Sequence, residues 1–181
     1  MGTPRVVTDK PLDPEEEANR ILSEKLPGLD KPPVPVPELA ERLQIKVLQT
    51  PLQNGVSGAL IRDGGQCFIA VNSAHHRNRQ RFTIAHEIGH YRLEHQLNEH
   101  VDREFTVIMR DKNSSTADDA LEIAANQFAA ALLMPRDFVF RDFVRLGNFD
   151  DEAITRLALK YQVSELAFQL RLRNLGLLQP F

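Results

Sequence analysis

The sequence predicts an α+β fold, with a small antiparallel sheet in its first half and a mostly helical C-terminal half. Short β-favouring runs lie at Ile45 to Leu48, Val56 to Ile61 and Cys67 to Val71. Asp63-Gly64-Gly65 supplies the positive-φ residues for a hairpin between the last two. Beyond Gln80 the apolar residues recur at helical spacing instead. At 181 residues and 42% hydrophobic content, the chain is long enough to bury a core without disulfides.

The first element is a helix over about 14–26. Asp13-Pro14-Glu15-Glu16 combines a cap, a proline in the first turn and capping carboxylates, and Ala18, Ile21, Leu22 and Leu26 follow at helical spacing. Five prolines between Pro27 and Pro37 then form a stiff connector, with Pro37 placed to start a short helix carrying Leu39, Ala40 and Leu43. The three strands come next. Asn72 to Gln80 reads as a polar loop, after which Phe82, Ala85, Ile88 and Gly89 mark a helix, and Arg110 to Asp118 as a polar, mobile connection. Helices are expected over Asp119 to Met134, Pro135 to Leu146, Asp150 to Tyr161 and Ser164 to Leu172. The boundaries divide the chain into 1–36, a helix and connector laid on the core; 37–146, the main domain; and 147–181, a helix pair resembling a helix-turn-helix.

Composition narrows the function. With 25 acidic and 22 basic residues, the net charge of -3 gives no global attraction to nucleic acid. A single cysteine, Cys67, excludes an internal disulfide framework, and neither a leader-like apolar run nor a membrane-length segment occurs. The expectation is a soluble, cytoplasmic protein without a membrane partner.

All six histidines fall between positions 75 and 100. His86-Glu87-Ile88-Gly89-His90 is an H-E-x-x-H sequence: one helical turn separates the two imidazoles, which can reach a single ion, and Glu87 stands beside them as general base for a water on that ion. Gly89 leaves room for a close neighbour. A hydrolytic zinc site needs a third protein ligand and an open position. His95 lies about 140° round the helix from His90 and cannot join it, and His100 approaches only after a turn. Gln96 and the absence of glycine at 93 argue against a metzincin spacing. The better candidate is Glu122, the only ionisable residue from 120 to 135. It forms a polar row with Asn126 beside the core stripe Leu121, Ala125, Phe128 and Leu132. A carboxylate buried there costs several kcal/mol unless a cation compensates it. The alternative is an exposed Glu on an alanine-rich helix.

Asn126 is placed to hydrogen-bond an imidazole or the ligating carboxylate from behind. Tyr91, His75 and His76 are candidates for oxyanion or substrate contacts, with Tyr91 inclined toward core contact and the loop histidines toward solvent. Arg77, Arg79 and Arg81 read as a solvated basic rim. In the C-terminal pair, Glu165, Arg171 and Arg173 would decorate the second helix, too sparse a basic face to favour DNA over a packing or protein-recognition role.

Two stretches carry a family resemblance. Arg79-Gln80-Arg81-Phe82-Thr83-Ile84-Ala85-His86-Glu87-Ile88-Gly89-His90 and Glu122-x-x-x-Asn126-x-Phe128-Ala129-Ala130-x-Leu132-Leu133-Met134-Pro135 resemble the ImmA/IrrE family of metallopeptidases. Val56-Ser57-Gly58, Ile69-Ala70-Val71-Asn72, Val163-Ser164, Arg171-Leu172 and Leu175-Gly176-Leu177 extend the similarity over most of the chain from Pro37. The resemblance implies a zincin-like fold in which His86, His90 and Glu122 bind one Zn2+, or another divalent metal, and Glu87 is the general base. It also implies a helix-turn-helix repressor as protein substrate, in a stress-response or mobile-element circuit. Two positions depart from the family pattern: Ala124, where a second carboxylate is common, and Glu94, where a histidine is common.

The expected function is a zinc-dependent endopeptidase acting on such a repressor. The rivals are a non-catalytic, metal-stabilised regulatory protein that binds a repressor or DNA, and a hydrolase of small peptides.

Overall fold

The computed structural model describes residues 12–53, 55–93, 117–146 and 150–178, together with the backbone of 99–103. In chain order the described elements are α1 (Pro14–Lys25), α2 (Val36–Arg42), β1 (Ile45–Thr50), β2 (Val56–Asp63), β3 (Gln66–Asn72), α3 (Arg77–Arg92), β4 (Glu99–Arg103), α4 (Ala117–Leu133), α5 (Arg136–Leu146), α6 (Asp151–Tyr161) and α7 (Glu165–Asn174). The α+β class and the helical C-terminal half are as the sequence predicts.

The N-terminal cap forms as expected: Asp13 accepts hydrogen bonds from the backbone N–H groups of Glu15 and Glu16. The β2–β3 hairpin closes between Asp63 and Gln66, with Gly64 and Gly65 both at positive φ, 53° and 80°. The sheet differs from the purely antiparallel expectation. Its order is β1-β3-β2-β4, and β1 runs parallel to β3. The turn glycines impose the hairpin first, and β1 then joins its β3 side. Residues 51–55 have only to carry the chain across one intervening strand, roughly 10 Å, which a five-residue link spans. The fourth strand, β4, pairs antiparallel with β2 and was not anticipated.

Helix α3 takes in the last four residues of the segment read as a loop, because His76 caps it: the ring Nδ1 accepts from Asn78 N–H at 3.2 Å. Most of the anticipated mobile connection, and Gly147, lie outside the described residues; the last two residues of that connection open α4.

One hydrophobic cluster runs through the described chain. It joins Ala18 and Ile21 of α1, Leu39 of α2, Ile69 of β3, Ile84 and Ile88 of α3, Phe128 and Leu132 of α4, and Phe168 and Leu172 of α7. Charged side chains tie its edges together, and here the reading of the arginines is corrected. Arg81 is buried rather than a rim residue. It donates to Val34 O at 3.0 Å and to Gln162 O at 3.4 Å, fastening the proline connector and the α6–α7 turn to α3. Burial, with the like charge of Arg77, pushes its guanidinium down to about 10. Arg171 does not decorate α7. It is buried, donates to Met134 O and grips both oxygens of Glu15 at 2.7 and 3.2 Å. Glu17, also buried, is shared by Arg20 and Arg92, which joins α1 to α3. In the C-terminal half, Asp142 accepts from Lys160 at 2.6 Å and from the Tyr161 hydroxyl at 2.8 Å, and burial together with this carboxylate raises the phenol's pKa.

Helices α3 and α4 approach each other closely at Gly89. A Cβ at Gly89 would lie 3.1 Å from Phe128 Cδ1 and 3.2 Å from both the Cα and the carbonyl oxygen of Ala125. Glycine on one helix and alanine on the other let the two backbones nearly touch.

Two stability measurements check these contacts. Arg171→Gln should lower the free energy of unfolding by about 1–3 kcal/mol, because it leaves the Met134 carbonyl and the Glu15 carboxylate short of donors; an unchanged urea midpoint would contradict the contact. Gly89→Leu should cost about 1–3 kcal/mol or more through overpacking, and Gly89→Ala less, because its single methyl needs only a small shift of its neighbours.

Candidate metal centre

The last two turns of α3 carry His86, Glu87 and His90, all fully buried. A polar run this deep in an apolar core has to be compensated within it. Across the Gly89 contact, α4 presents Glu122 and, one turn later, Asn126. His86 Nε2 lies 3.0 Å from His90 Nε2 and 3.4 Å from Glu122 Oε2, and His90 Nε2 lies 3.3 Å from Glu122 Oε1. Among the described residues, these three form the group of donors able to hold a metal ion.

The spacing fits such an ion. Tetrahedral bonds of about 2.0–2.1 Å separate neighbouring donors by about 3.3 Å; here the two imidazole nitrogens lie 3.0 Å apart, and each faces its own oxygen of the Glu122 carboxylate, at 3.4 and 3.3 Å. The donor set, two imidazole nitrogens and one carboxylate, is that of a borderline divalent cation such as zinc. Asn126 Oδ1 stands 2.8 Å from His86 Nδ1. A carbonyl oxygen only accepts, so His86 carries its proton on Nδ1 and keeps the Nε2 lone pair directed at the other two donors.

The two sides of the centre differ. The imidazoles are fully enclosed, whereas the Glu122 side chain is 40% exposed. The expectation of a deeply buried carboxylate is therefore corrected: Glu122 stands at the mouth, because it lies at the edge of the α3–α4 seam rather than on the Ala125–Phe128 stripe. The centre opens toward solvent on that side.

One oxygen of Glu87 borders the sheet. This atom, Oε1, lies 3.8 Å from the position of a Cβ on Gly58, a residue of β2 that has none. Such a Cβ would overlap Thr83 Cγ2 and come within 2.9 Å of Ala70 O, so glycine is what lets β2 lie against this face of α3.

The other candidates are placed as follows. Tyr91 packs its ring on the core, with the Arg62 guanidinium 5.8 Å above it. His76 is exposed and caps α3; His75 is half-buried, and its carbonyl accepts from Gln80. His100 falls in β4 opposite Leu60, and His95 lies outside the described residues. Sequence reasoning missed the role of Gly58, whose only signal is a glycine inside a β-favouring run.

A solved structure described as a Mycobacterium tuberculosis transcriptional regulator superposes with a TM-score of 0.64 at 20% identity, over 88% of this chain and 46% of that one. The likeness is one of fold, and the chain spans about half of that protein's length. Curated proteins give no significant match. The IrrE N-terminal-like domain of the peptidase M78 family matches residues 40–173, which include both helices of the centre. The chain belongs to the peptidase M78 family, whose domain is metallopeptidase-like.

Proposed function

We propose that the protein is a zinc-dependent endopeptidase that cleaves a helix-turn-helix transcriptional repressor. The observation that carries this reading is the pair of imidazole nitrogens of His86 and His90, 3.0 Å apart, each facing one oxygen of Glu122, with the buried carboxylate of Glu87 next in sequence to His86. When bound, zinc would lower the pKa of a coordinated water toward 7 and polarise a carbonyl oxygen.

The chain's own residues do the rest. Glu87 accepts the proton of the attacking water and returns it to the departing amine. Asn126 holds His86 in the tautomer that binds metal, as a group behind a ligand commonly does. The exposed side of Glu122 leaves an approach for a peptide, while the enclosing core keeps water from the imidazoles. The structural likeness to a transcriptional regulator supports a link to gene control. It also favours the second reading, a metal-stabilised regulatory protein without catalysis. The burial of Arg81 and Arg171 removes two of the cations that a DNA-binding role would use.

The deciding experiment incubates metal-replete wild type and Glu87→Gln with the helix-turn-helix regulator encoded beside the gene, and reads products by mass. Wild type should give one pair of fragments and Glu87→Gln none, while both bind one metal equivalent. Cleavage by the variant would remove Glu87 as base, and no cleavage by either would favour the regulatory reading. Asn126→Leu should weaken metal binding about 10–100-fold in a chelator competition and leave the fold intact; wild-type affinity would contradict its assigned role.

A further inference from the structure

We propose that Arg79 is a carboxylate receptor on the same face of α3 as the two histidines of the metal centre, gripping an acidic group of the bound peptide; this rests on the peptidase reading above. Arg79 is the third residue of α3, and positions 79, 83, 86 and 90 follow one another at helical spacing along a single face. Residue 79 is therefore on the same row as both histidines, about 10 Å from His86 along the helix axis.

Its bonding differs from that of Arg81, Arg92 and Arg171. Arg92 and Arg171 are each paired with a glutamate, and Arg81 lies against two backbone carbonyls. Arg79 donates from Nη2 to Ser57 Oγ at 2.7 Å, a neutral partner, and its Nε is buried with no hydrogen-bond partner among the described residues. A half-buried guanidinium answered by a hydroxyl, with no carboxylate partner among the described residues, still has Nη donors to offer, and the Nη edge of its planar fork matches a carboxylate with two parallel bonds.

Ser57 fixes where that fork sits. The β2–β4 register shifts between Val56 and Gly58, so Ser57 occupies a bulge, a distortion that re-aims a side chain next to a site. The re-aimed hydroxyl meets Arg79, and the next residue, Gly58, is the one whose bare backbone faces Glu87 Oε1. The receptor is thus fastened to the strand that borders the general base. A peptide carboxylate has two sources, an Asp or Glu side chain or the C-terminus, and these imply different substrates.

The test uses metal-replete wild type, Arg79→Gln and Arg79→Lys on two pools of random N-acetylated octapeptides, one with amidated and one with free C-termini. Products are sequenced by mass. Wild type should cut the amidated pool with Asp or Glu enriched at one fixed distance from the broken bond, or else cut only the free pool at a fixed distance from its end. Arg79→Gln should lower kcat/KM for the preferred peptides by about ten-fold or more, mainly through KM, and Arg79→Lys should restore part of it.

A second readout does not need turnover. The Arg79 Nε–H resonance of nitrogen-15-labelled protein, identified by its loss in Arg79→Lys, should shift saturably with N-acetylglutamate amide and not with N-acetylglutamine amide. Cleavage without acidic preference and without that shift would overturn the receptor and leave the peptidase. The shift without cleavage of any peptide or regulator would support the receptor and overturn the peptidase.

Discussion

The contact on which the rest depends is the close approach of α3 to α4 at Gly89. Because residue 89 has no side chain, the Ala125 backbone and the Phe128 ring reach the α3 backbone. Helix pairs usually stand 8–10 Å apart according to the side chains between them, and glycine opposite alanine takes the low end. At this distance a short carboxylate on α4 reaches two imidazoles on α3. His86 and His90 on α3 and Glu122 on α4 flank this contact, so the same seam that brings the backbones together brings the donors together. Asn126, one turn beyond Glu122, meets the back of His86 for the same reason. Around this seam α1 acts as a brace: Glu17 holds Arg92 at the end of α3, and Glu15 holds Arg171, whose Nε also satisfies the Met134 carbonyl at the end of α4.

The centre also depends on asymmetry. Both imidazoles sit in the core and the carboxylate at its edge, which suits a candidate metal site: donors held in one rotamer by their surroundings, with the more exposed side at Glu122. Glycine recurs on the sheet side, where Gly58 lets β2 lie against Thr83 and Glu87. Two glycines, 89 and 58, thus set the distances from α3 to its neighbours on two sides.

Much of this was legible in the sequence because it is local. The i, i+4 spacing of His86 and His90 places both on one face whatever surrounds the helix, and a single charge in an alanine-rich stretch marks Glu122, with Asn126 following at the same period. Gly89 was readable as room for a neighbour. What could not be read depends on contacts between distant segments. Arg81 and Arg171 look like surface cations by type and position, and only the carbonyls of Val34, Gln162 and Met134 and the Glu15 carboxylate, far off in the chain, make them interior groups. The parallel placing of β1 follows from which edge of the hairpin is left free. The sequence of β4, Glu-His-Val-Asp-Arg, has one apolar residue and no alternation to mark a strand. His76 escaped as a cap because histidine is not among the usual capping residues.

The central claim is that one ion is held by two imidazoles and one carboxylate drawn together across the α3–α4 seam. Zinc K-edge X-ray absorption of the protein loaded with one equivalent tests it most directly. The account predicts the multiple-scattering signature of two imidazoles, with oxygen ligands completing a four- or five-coordinate shell at about 2.0–2.2 Å. A sulfur shell at about 2.3 Å, or imidazoles other than two in number, would contradict it.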